Sequence, residues 1–354
     1  MDQTGRSISR RELFVGTGAL AAAAGVLALP GGPAAASEGR FPLPTTRELN
    51  VLITGDAGTG EAGQWAVARA AKQIHDRENI SLAIGLGDNI YENGPESGDD
   101  DEFASKFENP NAGIDVPWLM VLGNHDCSGI IPGSGGWPRR GDHEVEYHSR
   151  SRRWYMPSRY YSVPLPAADP VVEFFGIDTT PLTSYVMQTD PYYTYDGPFI
   201  REQRAWLDRS LAASKATWKI VFAHHPLRNN GKHGNAGEYD GIPIGNYISG
   251  IHAKKLYEEI VCGRANFILS GHDHTSQILD TAAEYKGTQQ IVCGAAAKTG
   301  GGDSKITNKY FWQDFSSLGF MVMKIRDTEV VLDAYTVDPA SSSPTLAHTQ
   351  TTRR

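Results

Sequence analysis

Gly85 to Tyr91 reads GLGDNIY, and it closes the apolar run Ile80 to Leu86. That run has the length and the β-branched content of a buried strand, and Gly87 favours a sharp turn directly after it. Asp88 is therefore expected to project from a strand end into a loop, with Tyr91 three residues further on. An isolated aspartate at such a place would be read as an ordinary turn residue.

The same arrangement recurs along the chain, which makes an ordinary turn a poor explanation. Each time, an apolar run is followed by a residue type that binds metal ions in proteins. The five places are Asp56 in TGDAGTG, Asp88 in GLGDNIY, Asn124 and His125 in VLGNHD, His224 and His225 in VFAHHP, and His272 and His274 in SGHDH. We expect separate strands to carry these side chains to one shared rim.

Carboxylates and imidazoles collected in this way predict a pair of metal ions. Two ions held ~3.5–4 Å apart can clamp both the attacking and the leaving oxygen of a phosphoryl displacement. Asp88 has two carboxylate oxygens and is the predicted bridge. Asp56 and one imidazole would complete one ion, and neutral Asn124 with two imidazoles would complete the other.

Tyr91 narrows the choice of metal. A phenol with a pKa near ~10 binds a metal only as phenolate, which requires a strongly polarising ion. Asp56, Asp88 and Tyr91 would then supply three negative charges and favour trivalent iron over zinc or magnesium. The neutral donors of the other site suit a divalent ion. The alternative is that Tyr91 only packs against the pocket wall.

The motifs GDAG, GDNIY, GNHD, AHHP and GHDH, in this order, resemble the calcineurin-like metallophosphoesterase superfamily. Because a tyrosine follows GD in GDNIY, the motif is similar to that of the purple acid phosphatases, especially the small tartrate-resistant kind. The likeness runs from about Asn50 to Val337. It implies an α/β fold of metallophosphoesterase type, a four-layer αββα sandwich of two mixed β-sheets flanked by helices.

The resemblance also implies a role for each site residue. It implies Asp56, Asp88, Tyr91 and His274 on Fe(III), and Asp88, Asn124, His224 and His272 on a second metal, Fe(II), Zn(II) or Mn(II). His225 is left with a packing or supporting role. His125 and His233 match histidines that contact phosphate and help to protonate the leaving group, although His233 is equally well read as a free surface histidine.

The implied enzyme is a phosphoric monoester hydrolase with an acid optimum, in which a metal-bound hydroxide attacks phosphorus in line. Two rival functions stay open. One is a phosphodiesterase or phospholipase of the same superfamily with two divalent metals and no role for Tyr91 as a ligand. The other is a secreted phosphate-binding module whose metal site is structural.

Residues 1–36 are predicted to be a twin-arginine export signal. Arg10 and Arg11 are paired, an Ala-rich apolar run follows to Leu29, and Pro33 to Ala36 offers a small-residue cleavage site. The run is shorter than the ~20 residues that span a bilayer, so a retained membrane anchor is the less favoured alternative. We therefore expect a secreted, periplasmic or cell-envelope protein that uses the twin-arginine translocase during export.

The rest of the chain is predicted to form one catalytic domain, residues 45–338, followed by a disordered, Ser/Thr/Pro-rich tail, residues 339–354. Helical spacing predicts helices at Ala62 to His75, Arg201 to Ala213 and Lys254 to Val261. Ser128 to Ser151 is predicted to be a long surface excursion near the site, where substrate specificity would lie.

The net charge limits the possible binding partners, and the number of cysteines limits the possible disulfide bonds. The formal net charge is −8, which argues against a nucleic-acid surface and leaves a small phosphorylated substrate as the expected partner. Three cysteines allow at most one internal disulfide, and a Cys262–Cys293 bridge is left open.

Overall fold

Two seven-stranded sheets form the centre of the protein. The computed structural model describes residues 40–239, 248–300 and 307–354, so the predicted export signal lies outside the described residues. The strands are β1 (Leu49–Thr54), β2 (Leu82–Gly85), β3 (Trp118–Met120), β4 (Trp154–Tyr155), β5 (Tyr161–Leu165), β6 (Val172–Gly176), β7 (Trp218–Phe222), β8 (Phe267–Ser270), β9 (Ser276–Leu279), β10 (Gln289–Cys293), β11 (Tyr310–Asp314), β12 (Leu318–Ile325), β13 (Glu329–Asp338) and β14 (Ser343–Arg353).

Both sheets are mixed. The first has the order β14-β13-β12-β1-β2-β3-β4, in which β1 to β4 run parallel and β12 to β14 antiparallel. The second has the order β11-β9-β10-β8-β7-β6-β5, with a parallel centre of β6, β7, β8 and β10. Parallel centres need crossover connections, which the helices supply.

Helices cover the outer faces of the two sheets. They are α1 (Ala62–Glu78), α2 (Pro138–Tyr147), α3 (Tyr185–Thr189), α4 (Pro198–Ala213) and α5 (Ile251–Leu256), with π-helical turns at Ala104–Glu108 and Tyr257–Val261 and a 3₁₀ turn at Thr180–Leu182. Each helix predicted from its spacing is present. None of the described helices is long and apolar enough to cross a membrane.

The side chains of β7 show how the layers form. Phe222 points into the core shared by the two sheets, together with Phe174 of β6. Val221 points the other way and packs with Trp206 of α4. This alternation is the two-residue period of a strand that is buried on both faces. The predicted four-layer αββα arrangement of two mixed sheets is confirmed.

The prediction of a disordered C-terminal tail is wrong. Ser343–Arg353 forms β14, which pairs with β13 along its full length and makes β14 the edge strand. Threonine favours extended backbone, and Thr349 donates a hydrogen bond of 2.6 Å to the buried Asp333 carboxylate. The open edge of β13 therefore orders a segment whose composition alone suggested disorder.

Two smaller predictions also change. The predicted surface excursion contains α2, so Ser128 to Ser151 is only partly irregular. Cys127, Cys262 and Cys293 are all free thiols, so the Cys262–Cys293 bridge left open by the sequence is not formed.

Candidate metal centre and catalytic site

The candidate site lies where the parallel strands of both sheets end. Asp56 follows β1, Asp88 follows β2, Asn124 follows β3, His224 follows β7 and His272 follows β8. The carboxyl ends of parallel strands are where open α/β sheets place their ligands. The ends of these separate strands therefore meet at one rim, as expected from the sequence.

The backbone turns tightly at this rim. Asp56, Asp88 and His272 have φ values of 58°, 51° and 69°, in the left-handed region that non-glycine residues rarely enter. Such a conformation costs of order 1–3 kcal/mol each and persists only where the surroundings hold it. Here the Asp56 N–H donates to the Gly87 carbonyl at 3.0 Å, and the His272 N–H donates to Asp56 Oδ2 at 2.9 Å.

Glycine lets the loops approach each other closely. A Cβ atom on Gly87 would lie 2.7 Å from His224 Nδ1, and one on Gly123 would lie 2.2 Å from Asp88 Oδ1. Real Cβ atoms do not make contacts this short. These two positions therefore require glycine if the site side chains are to keep their places.

One group of donor atoms surrounds the Tyr91 hydroxyl. Its oxygen lies 3.2 Å from Asp56 Oδ1, 2.9 Å from Asp88 Oδ2 and 3.1 Å from His274 Nε2. Both carboxylates offer lone pairs, whereas the phenol has a single hydrogen to donate, and His274 Nε2 offers a third lone pair in one of its two tautomers. Two carboxylates thus converge on a group that can donate to only one of them, with an imidazole nitrogen at the same place.

A second group surrounds the Asn124 amide oxygen. It lies 2.9 Å from His224 Nε2 and 3.1 Å from His272 Nδ1, and these two nitrogens are 3.2 Å apart. His224 Nδ1 lies 2.9 Å from the Leu86 carbonyl, which fixes its proton there and leaves a lone pair on Nε2. Asn124 Nδ2 donates to the Gly133 carbonyl at 2.9 Å, so its oxygen faces the group.

Asp88 belongs to both groups. Its Oδ2 accepts from the Tyr91 hydroxyl, and its Oδ1 lies 3.5 Å from His224 Nε2. The contacts therefore divide the seven residues into Asp56, Tyr91 and His274 on one side and Asn124, His224 and His272 on the other, with Asp88 between them.

The electrostatics of the site suit a bound cation. Burial, then the Asp88 carboxylate, raises the pKa of Asp56 well above its ordinary value. Burial works against ionisation of Asp88 itself, but the His224 and His125 rings and its hydrogen bonds lower its pKa to about 2. Burial and both carboxylates raise the pKa of Tyr91. Burial thus disfavours the ionised forms of Asp56 and Tyr91, and a bound cation would favour them.

The imidazoles are suited to the same role. Burial lowers the pKa of His224 and His272, and it lowers the pKa of His274 to about 4. Neutral rings are the form that binds metals. Converging lone pairs, buried carboxylates and neutral imidazoles fit a pair of cations, which the seven residues could hold between them.

His225 lies within reach of the donors, since one of its ring nitrogens is within 4.8 Å of nitrogens of His224 and His272. Its Nδ1 lies 2.9 Å from the Thr179 hydroxyl and its Nε2 lies 3.1 Å from the Thr183 hydroxyl. Both ring nitrogens therefore have protein partners, in agreement with the packing role expected from the sequence.

The two predicted catalytic histidines lie beside the donors. The His125 N–H donates to Asp88 Oδ1 at 2.9 Å, and its Nδ1 lies 2.7 Å from the Glu92 carbonyl. The His233 ring centroid is 4.4 Å from that of His272, and the His233 N–H donates to Asp273 Oδ2 at 3.0 Å. The structure thus brings both residues to the site.

Sequence reasoning missed a buried carboxylate that holds two site loops together. Asp126 is fully buried and accepts hydrogen bonds of 2.7 Å from the Asn89 N–H, 2.9 Å from Ile90 N–H and 2.7 Å from Gly123 N–H. Burial and the Asp88 charge raise its pKa to about 7. In the sequence, Asp126 is visible as the final residue of the GNHD motif.

Lys298 was also missed. Its ammonium lies 4.0 Å from the centroid of the Tyr91 ring and 3.0 Å from the Glu92 carboxylate. Nothing in the surrounding sequence GAAAKTG signals such a contact, because the lysine is brought to the site only by the fold.

Two stacked mixed sheets with these donors at their rim define a metal-dependent phosphoesterase. The chain belongs to the calcineurin-like phosphoesterase family, whose sequence model matches residues 49–276. The recognised superfamily and the predicted class of enzyme, a hydrolase of phosphate esters, are confirmed.

Known relatives agree with this placement. The chain is 28% identical to purple acid phosphatase 4 of Arabidopsis thaliana over 304 residues, 82% of this chain and 80% of the relative. It is 26% identical to tartrate-resistant acid phosphatase type 5 of Mus musculus over 270 residues, 73% of this chain and 75% of the relative. These relatives confirm the resemblance to purple and tartrate-resistant acid phosphatases.

A solved structure supports the fold. The purple acid phosphatase PPD1 from yellow lupin (Lupinus luteus) seeds superposes with a TM-score of 0.60 at 18% sequence identity, covering 89% of this chain and 55% of that chain. At this identity the likeness concerns the fold alone.

Proposed function

We propose that the protein is an acid phosphatase that hydrolyses phosphate monoesters with a binuclear centre of Fe(III) and a divalent ion, Fe(II), Zn(II) or Mn(II). The observation that supports this most strongly is the environment of the Tyr91 hydroxyl. Two carboxylates and an imidazole converge on it within 3.2 Å, a donor set whose negative charge matches a trivalent ion.

In this proposal Asp56, Asp88, Tyr91 and His274 hold the iron, and Asp88, Asn124, His224 and His272 hold the second ion. The first set carries three negative charges when Tyr91 is ionised, and the second carries only the shared charge of Asp88. When bound, the two cations supply Lewis acidity that activates both a water nucleophile and the phosphate ester.

The protein's own residues orient the ester and move the proton. The Glu92 carbonyl accepts the Nδ1–H of His125, so the imidazolium form of this ring would give its Nε2 proton to the departing alkoxide and remain as the neutral ring with its proton on Nδ1. The Asp88 carboxylate accepts the backbone N–H of His125, so the proton donor is attached to the bridging ligand. His233, whose ring lies beside that of His272 at a tilt of 33°, is proposed to contact the phosphoryl oxygens.

Export by the twin-arginine route, and a secreted or cell-envelope location, are part of the same proposal. The support is the paired Arg10 and Arg11 followed by the apolar run. A chain folded before export would carry its metals with it. Replacing both arginines with lysine should retain the protein in the cytoplasm, as cell fractionation would show.

Metal analysis, a visible spectrum and two substrates test the proposal. Protein exported by its native route should contain one iron and one further metal, absorb visible light through phenolate-to-Fe(III) charge transfer, and hydrolyse 4-nitrophenyl phosphate fastest below neutral pH. Two divalent metals, no colour and a preference for bis(4-nitrophenyl) phosphate would favour the phosphodiesterase. Bound metal without hydrolysis of either ester would favour a phosphate-binding module.

A further inference from the structure

The exposed apolar side chains are concentrated beside the candidate site. Ile130, Ile131, Trp137, Tyr185 and Val186 are 91%, 68%, 52%, 53% and 49% exposed, and they are five of the nine large apolar side chains exposed in the described ranges. We call these five residues the apolar rim. Scattered surface hydrophobics are ordinary, but a grouped set marks a binding surface.

The two segments of the apolar rim are joined. The Ser184 hydroxyl donates to the Ser134 carbonyl at 2.9 Å. A Cβ atom on Gly136 would lie 2.9 Å from Val186 Cβ. Trp137 folds back over Gly129, where a Cβ atom would lie 3.1 Å from its ring. The rim is therefore one surface built from the start of α3 and the loop before α2.

This surface is tied to the site by hydrogen bonds. The Gly133 carbonyl accepts from Asn124 Nδ2 at 2.9 Å. The Ser128 hydroxyl donates to the Asn124 carbonyl at 2.7 Å and accepts from the Gly135 N–H at 3.1 Å. Two hydrogen bonds thus hold the loop to Asn124, a candidate metal ligand, and a third joins Gly135 to Ser128.

The proton donor faces the same loop. A Cβ atom on Gly133 would lie 3.0 Å from His125 Nε2. Because a general acid must lie within hydrogen-bond reach of the oxygen that it protonates, the leaving alcohol would sit beside Gly133. Ile131 is only two residues away, at most about 7.6 Å along the Cα trace.

The other side of His125 has a different character. Its ring lies 4.4 Å from that of Tyr91, and the Lys298 ammonium covers the Tyr91 ring. Lys298 is paired with Glu92, so this side of the site is charged. Of these two sides, both formed by described residues, the Gly133 side is the one that leads an alcohol next to His125 to apolar surface.

We infer that the apolar rim binds the alcohol part of the substrate, and that the preferred substrates are soluble phosphate monoesters of apolar alcohols. This inference rests on the proposed phosphatase function and on the proposed role of His125. It assigns substrate preference to Ile130 and Ile131, the two most exposed members of the rim.

A homologous series of n-alkyl phosphates, from ethyl to hexyl, tests the inference because the leaving-group pKa stays constant while the apolar area grows. Full burial of one methylene is worth about fourfold. On a half-open rim, kcat/KM of the metal-loaded protein should rise about twofold per methylene. The double variant Ile130→Ser with Ile131→Ser should bring this factor close to one.

Leu346→Ser is the matched control, since it removes an exposed apolar side chain from β14. It should keep the wild-type increase per methylene. Binding of n-alkylphosphonates, measured by calorimetry, gives a second readout that needs no turnover. Their heat capacity of binding should become more negative with chain length in the wild type and in Leu346→Ser but not in the double variant.

Four results would overturn the inference in distinguishable ways. Hydrolysis of the whole series without dependence on chain length, or a dependence that the double variant keeps, would reject the apolar rim and leave the phosphatase standing. Sedimentation of the wild type with phosphatidylcholine vesicles, lost in the double variant, together with a flat series would assign the surface to lipid instead. A metal-loaded protein that hydrolyses 4-nitrophenyl phosphate but no member of the series would reject the inference alone. One that hydrolyses neither would reject the phosphatase and the inference together.

Discussion

The two donor groups of the site lie side by side but differ in charge. Around the Tyr91 hydroxyl there are two carboxylates and one imidazole, and around the Asn124 amide oxygen there are two imidazoles. The first group is anionic once its protons leave, and the second is neutral. Since both have similar burial and similar distances, charge rather than geometry would decide which cation each one holds.

Asp88→Asn tests the only residue that the two groups share, and it should have the largest effect. Without a bridging carboxylate both cations should bind weakly, and kcat should fall by about 10³-fold or more, equivalent to about 4 kcal/mol. Metal content and 4-nitrophenyl phosphate hydrolysis would be measured together. Retention of both metals at full occupancy would contradict the bridge.

Asn124→Ala tests the independence of the neutral group. It removes the amide oxygen between His224 and His272, so the second metal should be lost while iron and visible colour remain. Activity should fall about 10²-fold, about 2.7 kcal/mol. Loss of iron in parallel would show that the two groups do not act separately.

Tyr91→Phe tests the anionic group with the smallest change of shape. The ring and its contact with Lys298 can remain, but the hydroxyl that meets Asp56, Asp88 and His274 is gone. The colour should disappear, and activity should drop about 10-fold, about 1.4 kcal/mol, if the metals are resupplied. A coloured Tyr91→Phe protein would exclude the tyrosine as the source of the absorption.

The smallest expected effect is on the metal-free protein, and it concerns how the free energy of unfolding depends on pH. The pKa of Asp56 is raised by burial, so the folded state keeps a proton that the unfolded state releases, and this contribution to stability is lost as pH rises above about 4. The pKa of His272 is lowered by burial, so the unfolded state takes up a proton first, and this contribution is lost as pH falls below about 6.5.

Urea titrations of metal-free protein between pH 4 and 8 can separate these two contributions. Asp56→Asn should reduce the loss of stability at high pH, and His272→Asn should reduce the loss at low pH. Identical pH profiles for the two variants would contradict the assigned directions of the shifts.

Most of the site could be predicted because its signals are local. An apolar run followed within four residues by Asp56, Asp88, Asn124, His224 or His272 fixes both the strand and the place where its ligand emerges. Strands that end in donors must meet at one rim for the donors to be satisfied. Counting charges separated an anionic set of ligands from a neutral one, and the resemblance to the family implied which histidine belongs to each set.

Features that depend on contacts with residues distant in the sequence could not be predicted from local sequence patterns. Ser343–Arg353 is ordered by the open edge of β13, about which its own composition says nothing. Lys298 reaches the Tyr91 ring across more than 200 residues of sequence separation. Asp126 has the sequence context of a loop residue, yet it ties the Asp88 loop to the Asn124 loop from a fully buried position.

β14 has a consequence for the behaviour of shortened forms of the protein. Its pairing covers the backbone donors and acceptors that β13, a strand of ten residues, directs away from β12. A chain ending at Ala340 would expose them as a template for pairing with another molecule. On size-exclusion chromatography, such a truncated protein should elute as larger species at concentrations where the elution volume of the full chain does not change. The deleted strand lies far in sequence from every proposed ligand.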